Sequence, residues 1–303
     1  MISLRYHTIS IGAVFLALAL GVLLGASGVS DRLLSAVSTE RDDLAERVQT
    51  LTAERDDLAA DMRASDEFAR RVGPAAVSGL LTDQSVVLVT AGADPADRDA
   101  VRALIGHAGA TVSGEVVLTE AVGDQGRADQ LRELTARLLP PGAQLPAASD
   151  AGSLLGGLLG GALLGEAPAE QASGVLTGLA TAGFVQPGDV PAPATLVVVL
   201  TGGALTGIDA ADSAAVVARL AAELDRAGRG AVLAGRTGSA DATGAVGVAR
   251  ADPNVTAALS TVDAVQTGQG QVSTVLALRE QLDGRSGSYG SADTAADGAA
   301  PAA

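Results

Sequence analysis

The first thirty residues constrain this chain more than any other stretch. From Tyr6 to Ser30 the sequence contains no Asp, Glu, Lys or Arg, and it consists mainly of Leu, Ala, Val, Ile and Gly. A helix needs about 20 consecutive apolar residues to cross the hydrocarbon layer of a bilayer. Thr8–Gly28 meets that length, so the sequence predicts a cytoplasmic tail and a transmembrane helix within residues 1–30.

The charges that flank this span predict its orientation. Arg5 and the free amino terminus precede the span, whereas Asp31 and Arg32 follow it. The positive-inside rule then predicts a single-pass anchor in the cytoplasmic membrane. The N-terminus stays in the cytoplasm, and the rest of the chain lies on the outer side of that membrane. A cleaved signal peptide stays an alternative, because the small residues 26–28 resemble a cleavage site.

Small residues recur at every fourth position of the span. They are Ala13, Ala17, Gly21 and Gly25. Small residues at this spacing allow two membrane helices to approach closely, so these four residues predict a transmembrane dimer face. The alternative is that Ala and Gly are common throughout this chain.

Residues 31–72 carry a charged heptad pattern directly after the span. The d positions are all apolar, and the a positions alternate between apolar residues and Arg. This pattern predicts a parallel homodimeric coiled-coil stalk that ends at Gly73–Pro74. An amphipathic helix lying on its own domain is the alternative. The predicted coiled-coil core consists of Leu34, Val37, Leu44, Val48, Leu51, Leu58 and Met62.

Short apolar strands alternate with helices over residues 73–283. This order predicts an extracytoplasmic α/β domain with a mostly parallel sheet and helices on both faces. Residues 284–303 are rich in Gly, Ser, Ala and Asp, which predicts a disordered tail. The predicted strands are 85–90, 114–119, 194–200, 230–235 and 259–262.

The Leu-Gly run from Ser153 to Gly165 is unusual for this domain. It is too short to span a bilayer, and Gly at this density disfavours a helix by about 1 kcal/mol per residue. We expect a flexible apolar loop or a loosely packed helix there. A segment that dips into the membrane or binds a partner is the alternative.

One Gly-rich turn separates a buried strand from a helix, which is where open α/β sheets bind ligands. Its candidate ligand residues are Thr201, Gly202, Gly203 and Gly207. Ile208 follows, and the chain contains no Lys, so a phosphate-binding Walker motif is excluded. The competing interpretation is a turn that needs Gly only for its backbone dihedral angles.

Composition excludes several classes of function. The net charge is −15, and a chain this acidic is a poor nucleic-acid binder. There is no Cys, the only histidines are His7 and His107, and the only methionines are Met1 and Met62. Soft metal sites and nucleophilic hydrolases need more Cys, His or Met side chains than this chain contains. We therefore predict no catalytic residues, no metal ligands, no evident cofactor and no enzyme activity.

Three stretches in the expected order resemble the actinobacterial copper transport protein B (MctB) family. They are residues 1–26, the segment LLPPGAQLP at 138–146, and residues 260–278. The resemblance implies a copper transporter of the cell envelope, with a role in copper efflux or homeostasis, and the family is also described as outer-membrane. It supplies no copper ligands. The alternative is a non-catalytic coiled-coil scaffold for envelope proteins of the wall or division machinery.

Overall fold

The computed structural model describes residues 4–26, 29–165 and 168–302, and it describes their side chains except at residues 4, 26 and 29–36. The chain divides into two compact units, Met1–Ala64 and Ser65–Ala303. The side chain of Leu34, one of the predicted coiled-coil residues, lies outside the described residues. The finer domain boundaries expected from the sequence stay predictions.

Two helices form the first unit. Helix α1 spans Leu4–Ala26 and carries an exposed apolar surface along its length. Helix α2 spans Val29–Ala76, and its last turns belong to the second unit. Pro74 lies inside the final turn, so the helix ends slightly later than predicted.

A six-stranded sheet forms the centre of the second unit. All neighbouring strands are parallel, and their order is β2-β1-β3-β4-β5-β6. This arrangement confirms the predicted fold class. The strands are β1 Ser85–Ala91, β2 Thr111–Leu118, β3 Leu196–Thr201, β4 Ala231–Gly235, β5 Ser260–Val262 and β6 Ser288–Tyr289.

Helices connect the strands and cover the sheet. Short 3₁₀ segments at Glu120–Val122 and Gln125–Arg127 precede the fourth helix. The helices are α3 Pro95–His107, α4 Ala128–Leu138, α5 Ala151–Leu163, α6 Ala169–Thr181, α7 Ala210–Ala227, α8 Ala245–Arg250, α9 Pro253–Thr256 and α10 Gly268–Leu282.

Alternate strand residues supply two separate hydrophobic cores. Val87 and Val197 point to the face covered by α5, α6 and α7. Val86 and Val198 point to the face covered by α3 and α10. Because both faces are buried, the strands are continuous apolar runs rather than alternating ones. This is why the central strands were visible in the sequence.

The Leu-Gly run is a buried helix, so the prediction of a flexible loop or a loosely packed helix is wrong. In α5, three glycines four residues apart face α7. A Cβ on Gly156 would lie 2.8 Å from the carbonyl oxygen of Leu220, and a Cβ on Gly160 would lie 2.5 Å from Cβ of Ala227. Gly152 meets α7 in the same way. The glycines disfavour helix locally, but they let two helix backbones pack closely.

The C-terminal residues are ordered, which corrects the expectation of a disordered tail. Ser288–Tyr289 form β6 against β5, and Tyr289 is buried. The Arg250 guanidinium donates to the carbonyl oxygen of Tyr289 at 2.8 Å, and Asp263 Oδ1 accepts from the backbone N–H of Ser291 at 2.7 Å. These contacts with the body of the domain offset the weak structural preference of the tail itself.

Candidate functional site

A cleft of about 1280 Å3 lies at the carboxyl ends of β1, β2 and β3. The chain leaves β1 toward β2 on one side of it and returns through β3 on the other side, so the strand order reverses between β1 and β3. Ligands of open α/β sheets bind at such a switch point. The cleft is therefore the candidate functional site of the second unit.

The predicted ligand turn forms one wall of this cleft. Thr201, Gly202, Gly203 and Gly207 all line it, and their role in ligand binding stays a prediction. A Cβ on Gly202 would lie 3.0 Å from the carbonyl oxygen of Gly92, and a Cβ on Gly203 would lie 2.8 Å from that of Thr237. Gly207 has a φ of 112°, which favours glycine. Backbone packing thus accounts for these glycines, whether or not a ligand binds.

The other polar residues of the cleft come from segments distant in sequence, and sequence reasoning missed them. All but Gln186 lie at or after the carboxyl end of a strand or at the start of α7, and Gln186 lies between α6 and β3. The sheet order brings them together, and no local motif marks them. They are Thr90, Thr119, Glu120, Gln186, Asp209 and Ser213.

The cleft has an acidic character. Among the described residues that line it there is no Arg or His, whereas Glu120 and Asp209 each contribute an exposed carboxylate. Neither carboxylate has a hydrogen-bond or ion-pair partner in the described part of the chain. A phosphate or another anion would meet these charges without a compensating cation. The lining suits a neutral or positively charged ligand.

Arg236 connects the turn with the loop after β1. Its Nη1 lies 2.8 Å from Asp94 Oδ2, and its Nε lies 3.1 Å from Asp97 Oδ2. Its backbone N–H donates to the carbonyl oxygen of Gly202 at 3.2 Å. Burial raises the pKa of Asp97, while Arg236 acts in the opposite direction. The ion pair with Asp94 therefore fixes the two loops beside the cleft.

Gln266 extends this network to the end of α2. Its Oε1 accepts from the backbone N–H of Thr237 at 3.1 Å. Its own carbonyl oxygen accepts from Arg70 at 2.7 Å. Asp66 accepts from the backbone N–H of Gly268, at the start of α10. Burial raises the pKa of Asp66, whereas the hydrogen bond from Gly268 and the nearby Arg70 lower it. The net result is a pKa below the ordinary value for aspartate.

The donor set limits what metal chemistry the chain can perform. Within the described ranges, no group of three or more His, Cys, Asp or Glu residues could hold a metal ion. His7 lies in α1 and His107 is the exposed last residue of α3. Cu(I) prefers thiolate and thioether ligands, and this sequence offers only Met1 and Met62. The described residues thus fit copper poorly as a tightly bound ion.

Comparison with known proteins identifies the family. A family model described as "Copper transport outer membrane protein, MctB" matches residues 1–300. The chain belongs to the MctB family. It is similar to the "Copper transporter MctB" of Mycobacterium tuberculosis and that of Mycobacterium bovis, each 42% identical over 303 residues. The protein of the same name from Mycobacterium leprae is 38% identical over 306 residues. In each case the match covers 96% of both chains.

The membrane-anchoring helix of this MctB-family chain lies at its N-terminus. Arg5–Gly25 is a helical stretch of 21 residues that is long and apolar enough to cross a membrane. The four small residues of the predicted dimer face are exposed in the single chain. A Cβ on Gly21 or Gly25 would meet no atom within 4 Å. This face is open to a second helix, and the pairing itself stays a prediction.

Helix α2 of this MctB-family chain exposes the side chains predicted to form a coiled-coil core. The apolar d positions lie on one face of the helix because they recur every seven residues. The exposed fractions are 63% for Val37, 61% for Leu44, 63% for Leu51 and 65% for Leu58. At the a positions they are 55% for Val48 and 70% for Met62. The single chain leaves this apolar face uncovered.

Proposed function

We propose that this chain is a membrane-anchored envelope protein that acts in copper efflux or homeostasis. The observation that carries the proposal is the match to the MctB family over residues 1–300, together with relatives named copper transporters along almost the whole chain. The apolar N-terminal helix supports the anchoring part of the proposal.

The poor copper donor set favours an indirect, non-enzymatic role. A carrier of Cu(I) needs soft ligands, and the described residues provide no cluster of three potential ligands. The span contains no charged residue between Tyr6 and Gly25 that would line an ion path. We therefore propose that the chain supports copper export by other components instead of conducting the ion itself.

Two measurements test this role together. Deletion of the gene should make cells sensitive to copper, and the full chain should restore tolerance. Isothermal titration of the purified full chain with Cu(I) and with Cu(II) should show no binding at micromolar concentrations. Unchanged copper tolerance after deletion would contradict the copper role. Tight binding of either ion would contradict the indirect mechanism and favour direct transport.

We propose further that the chain is a single-pass protein of the cytoplasmic membrane with its second unit outside. Arg5 before the span supports this orientation. Because the chain has no Cys, an Ala143→Cys substitution introduces a single thiol at an exposed position of the second unit. A membrane-impermeant maleimide should label it in intact spheroplasts. Labelling that requires lysis would show the opposite orientation.

The uncovered face of α2 supports a parallel homodimer. The span would hold two chains side by side, and the apolar d positions would then pack against each other. Sedimentation of the full chain in detergent should give a dimer. Replacing Leu44 and Leu51 with Asp should shift it toward monomer, because both substitutions place charge in the seam. A wild-type chain that stays monomeric at high concentration would contradict the pairing.

A coiled-coil scaffold for wall or division proteins is the second candidate function, and the long exposed apolar face of α2 favours it. Cross-linking in membranes followed by purification distinguishes it from a copper role. Recovery of wall or division enzymes that depends on Leu44 and Leu51 would support the scaffold. Copper sensitivity after deletion, without any wall defect, would support the copper role instead.

A further inference from the structure

The cleft combines three features that together define a class of ligand. It lies at the strand-order reversal, it carries unpaired carboxylates, and its rim is apolar. These features come from the loops after β1, β2 and β3, and they are independent of the copper role proposed above.

The negative charge of the cleft determines which charge its ligand should carry. Glu120 follows β2 and Asp209 precedes α7, so the two carboxylates reach the cleft from different loops. Asp209 stands at the start of α7 but does not cap it with a side-chain hydrogen bond. A negative charge beside the N-terminus of α7 offsets the positive end of the helix dipole, which would otherwise favour an anion. Positively charged groups are favoured and anions are repelled.

The rim supplies an apolar contact. Leu205 and Ile208 both line the cleft from the turn between β3 and α7. Leu205 is 43% exposed and Ile208 is 102% exposed, so the Ile208 side chain packs against none of the described residues. Large apolar side chains exposed at the mouth of a cleft are typical of binding sites for partly apolar partners.

Size and lining favour a peptide over a sugar. The volume of about 1280 Å3 exceeds the roughly 300–1,000 Å3 usual for small-molecule sites. Among the residues described as lining it there is no Phe, Tyr or Trp on which a sugar ring could stack. The exposed amide of Gln186 can donate to and accept from a peptide backbone, while the Thr119 hydroxyl, which donates to the carbonyl oxygen of Gly183, can still accept.

The wall that carries the rim is held in place before any ligand arrives. Arg236 binds the carbonyl oxygen of Gly202 and the carboxylate of Asp94, and Thr237 packs against Gly203. Gln266 fixes Thr237 in turn. A site that is already shaped loses less ordering entropy on binding. The cleft is therefore a formed site at a fixed place on the second unit.

We propose that this cleft binds an extended peptide segment of an envelope partner that carries Lys or Arg next to apolar residues. The basic side chains pair with Glu120 and Asp209, and the apolar side chains pack on Leu205 and Ile208. The segment lies along the carboxyl ends of β1, β2 and β3.

The test uses the full chain in nanodiscs of zwitterionic lipid and a short fluorescent peptide of alternating Leu and Lys. Fluorescence anisotropy should show binding, and a matched peptide with Glu in place of Lys should not bind. The double variant Glu120→Gln with Asp209→Asn should weaken binding about tenfold, which corresponds to about 1.4 kcal/mol. Ile208→Ser should also weaken it, at a position too exposed to affect folding.

A charge-matched control separates the cleft from the acidic surface in general. Asp83→Asn with Glu170→Gln removes two exposed carboxylates outside the cleft. This control should keep wild-type affinity. Equal weakening by the control and cleft variants would overturn the proposal, and so would equal binding of the Glu peptide or no binding at all. Binding of a fluorescent chito-oligosaccharide that Ile208→Ser abolishes would replace it with a glycan site.

Discussion

Arg250 and Asp263 form the most deeply buried ion pair among the described residues of the second unit. Nη1 of Arg250 lies 2.8 Å from Oδ2 of Asp263, and each side chain is 3% exposed. The guanidinium also donates to Thr261 Oγ1 and to the carbonyl oxygen of Tyr289. Two charges buried this deeply need every one of these partners, because removal of one leaves the other uncompensated in a medium of low polarity.

We expect Arg250→Ala to lower the free energy of unfolding by about 3–5 kcal/mol, the usual cost of breaking a buried pair. Urea unfolding followed by circular dichroism measures it. The control is Arg137→Ala, which breaks the exposed pair with Glu133 and should cost less than about 1 kcal/mol. Equal costs for the two substitutions would contradict the structural role of the buried pair.

Asp225 near the end of α7 gives a pH-dependent prediction. Burial raises its pKa, and the hydrogen bond from the backbone N–H of Ala231 acts in the opposite direction. Because its pKa is higher in the folded state than in the unfolded state, the contribution of Asp225 to the free energy of unfolding falls as the pH rises through the folded-state pKa. Asp225→Asn keeps an acceptor for Ala231 and removes the buried charge. It should stabilise the fold at neutral pH, with no gain below the ordinary aspartate pKa of 3.8.

Thermal melting at several pH values measures the effect of this substitution. Asp212→Asn in the first turn of the same helix is the control. It removes a carboxylate that the helix dipole favours, so it should destabilise slightly at neutral pH. A gain from Asp225→Asn that persists unchanged into acid would contradict burial as the cause of the raised pKa.

Residue by residue, the candidate site was only partly predictable. Thr201 and its glycines could be predicted because a strand, a Gly-rich turn and a helix follow one another in the sequence. Thr90 and Glu120 could not, because Thr90 lies near the end of β1 and Glu120 lies in the 3₁₀ segment after β2, and no local motif marks either residue. Only the strand order β2-β1-β3 brings these residues to one cleft, and nothing local encodes that order.

At the scale of elements, α5 shows how one helix pairing depends on glycine. We expect Gly156→Ala to destabilise the fold by about 1–3 kcal/mol, the usual cost of overpacking, because its Cβ would meet the backbone of Leu220. Gly161→Ala in the same helix should stabilise by up to about 1 kcal/mol, since its Cβ would meet nothing within 4 Å. Equilibrium unfolding of both variants tests this. The same sign for both would contradict the close α5–α7 packing.

Helix α5 also explains why sequence reasoning failed there. The intrinsic helix propensity of Gly is a weak local preference, and burial against α7 overrides it. The spacing of Gly152, Gly156 and Gly160 did contain the signal, because it places one glycine on the same helix face at each turn. The same spacing was recognised in α1, where an apolar span made a helix certain.

At the scale of the whole molecule, the C-terminal residues complete the sheet. We expect a chain ending at Ser286 to lose at least about 3 kcal/mol of stability, because Asp263 and Arg250 lose hydrogen bonds worth about 1.5–3 kcal/mol each. Thermal melting measures it. A chain that lacks only residues 301–303 should keep wild-type stability, since Ala300 is buried and residues 301 and 302 are exposed. Similar stabilities for both truncations would contradict the structural role of the tail.

The overall architecture was predictable because strands buried on both faces are unmistakable apolar runs, and helices separate them at regular intervals. The sixth strand was not predictable, because Ser288–Tyr289 is only two residues long and lies among Gly and Ser. Its position depends on contacts with Arg250 and with the edge of β5, and both partners are distant in sequence.

The place of β6 at the edge of the sheet determines when the second unit can complete its folding during synthesis. The ribosome makes the chain from the N-terminus, so the edge of β5 and the carboxylate of Asp263 stay unpaired until Ser288, Tyr289 and Ser291 have been made. While they wait, β5 presents an unpaired strand edge to other chains. Folding of the second unit can therefore finish only after β6 and Ser291 have left the ribosome, and until then the nascent domain is most exposed to mispairing and proteolysis.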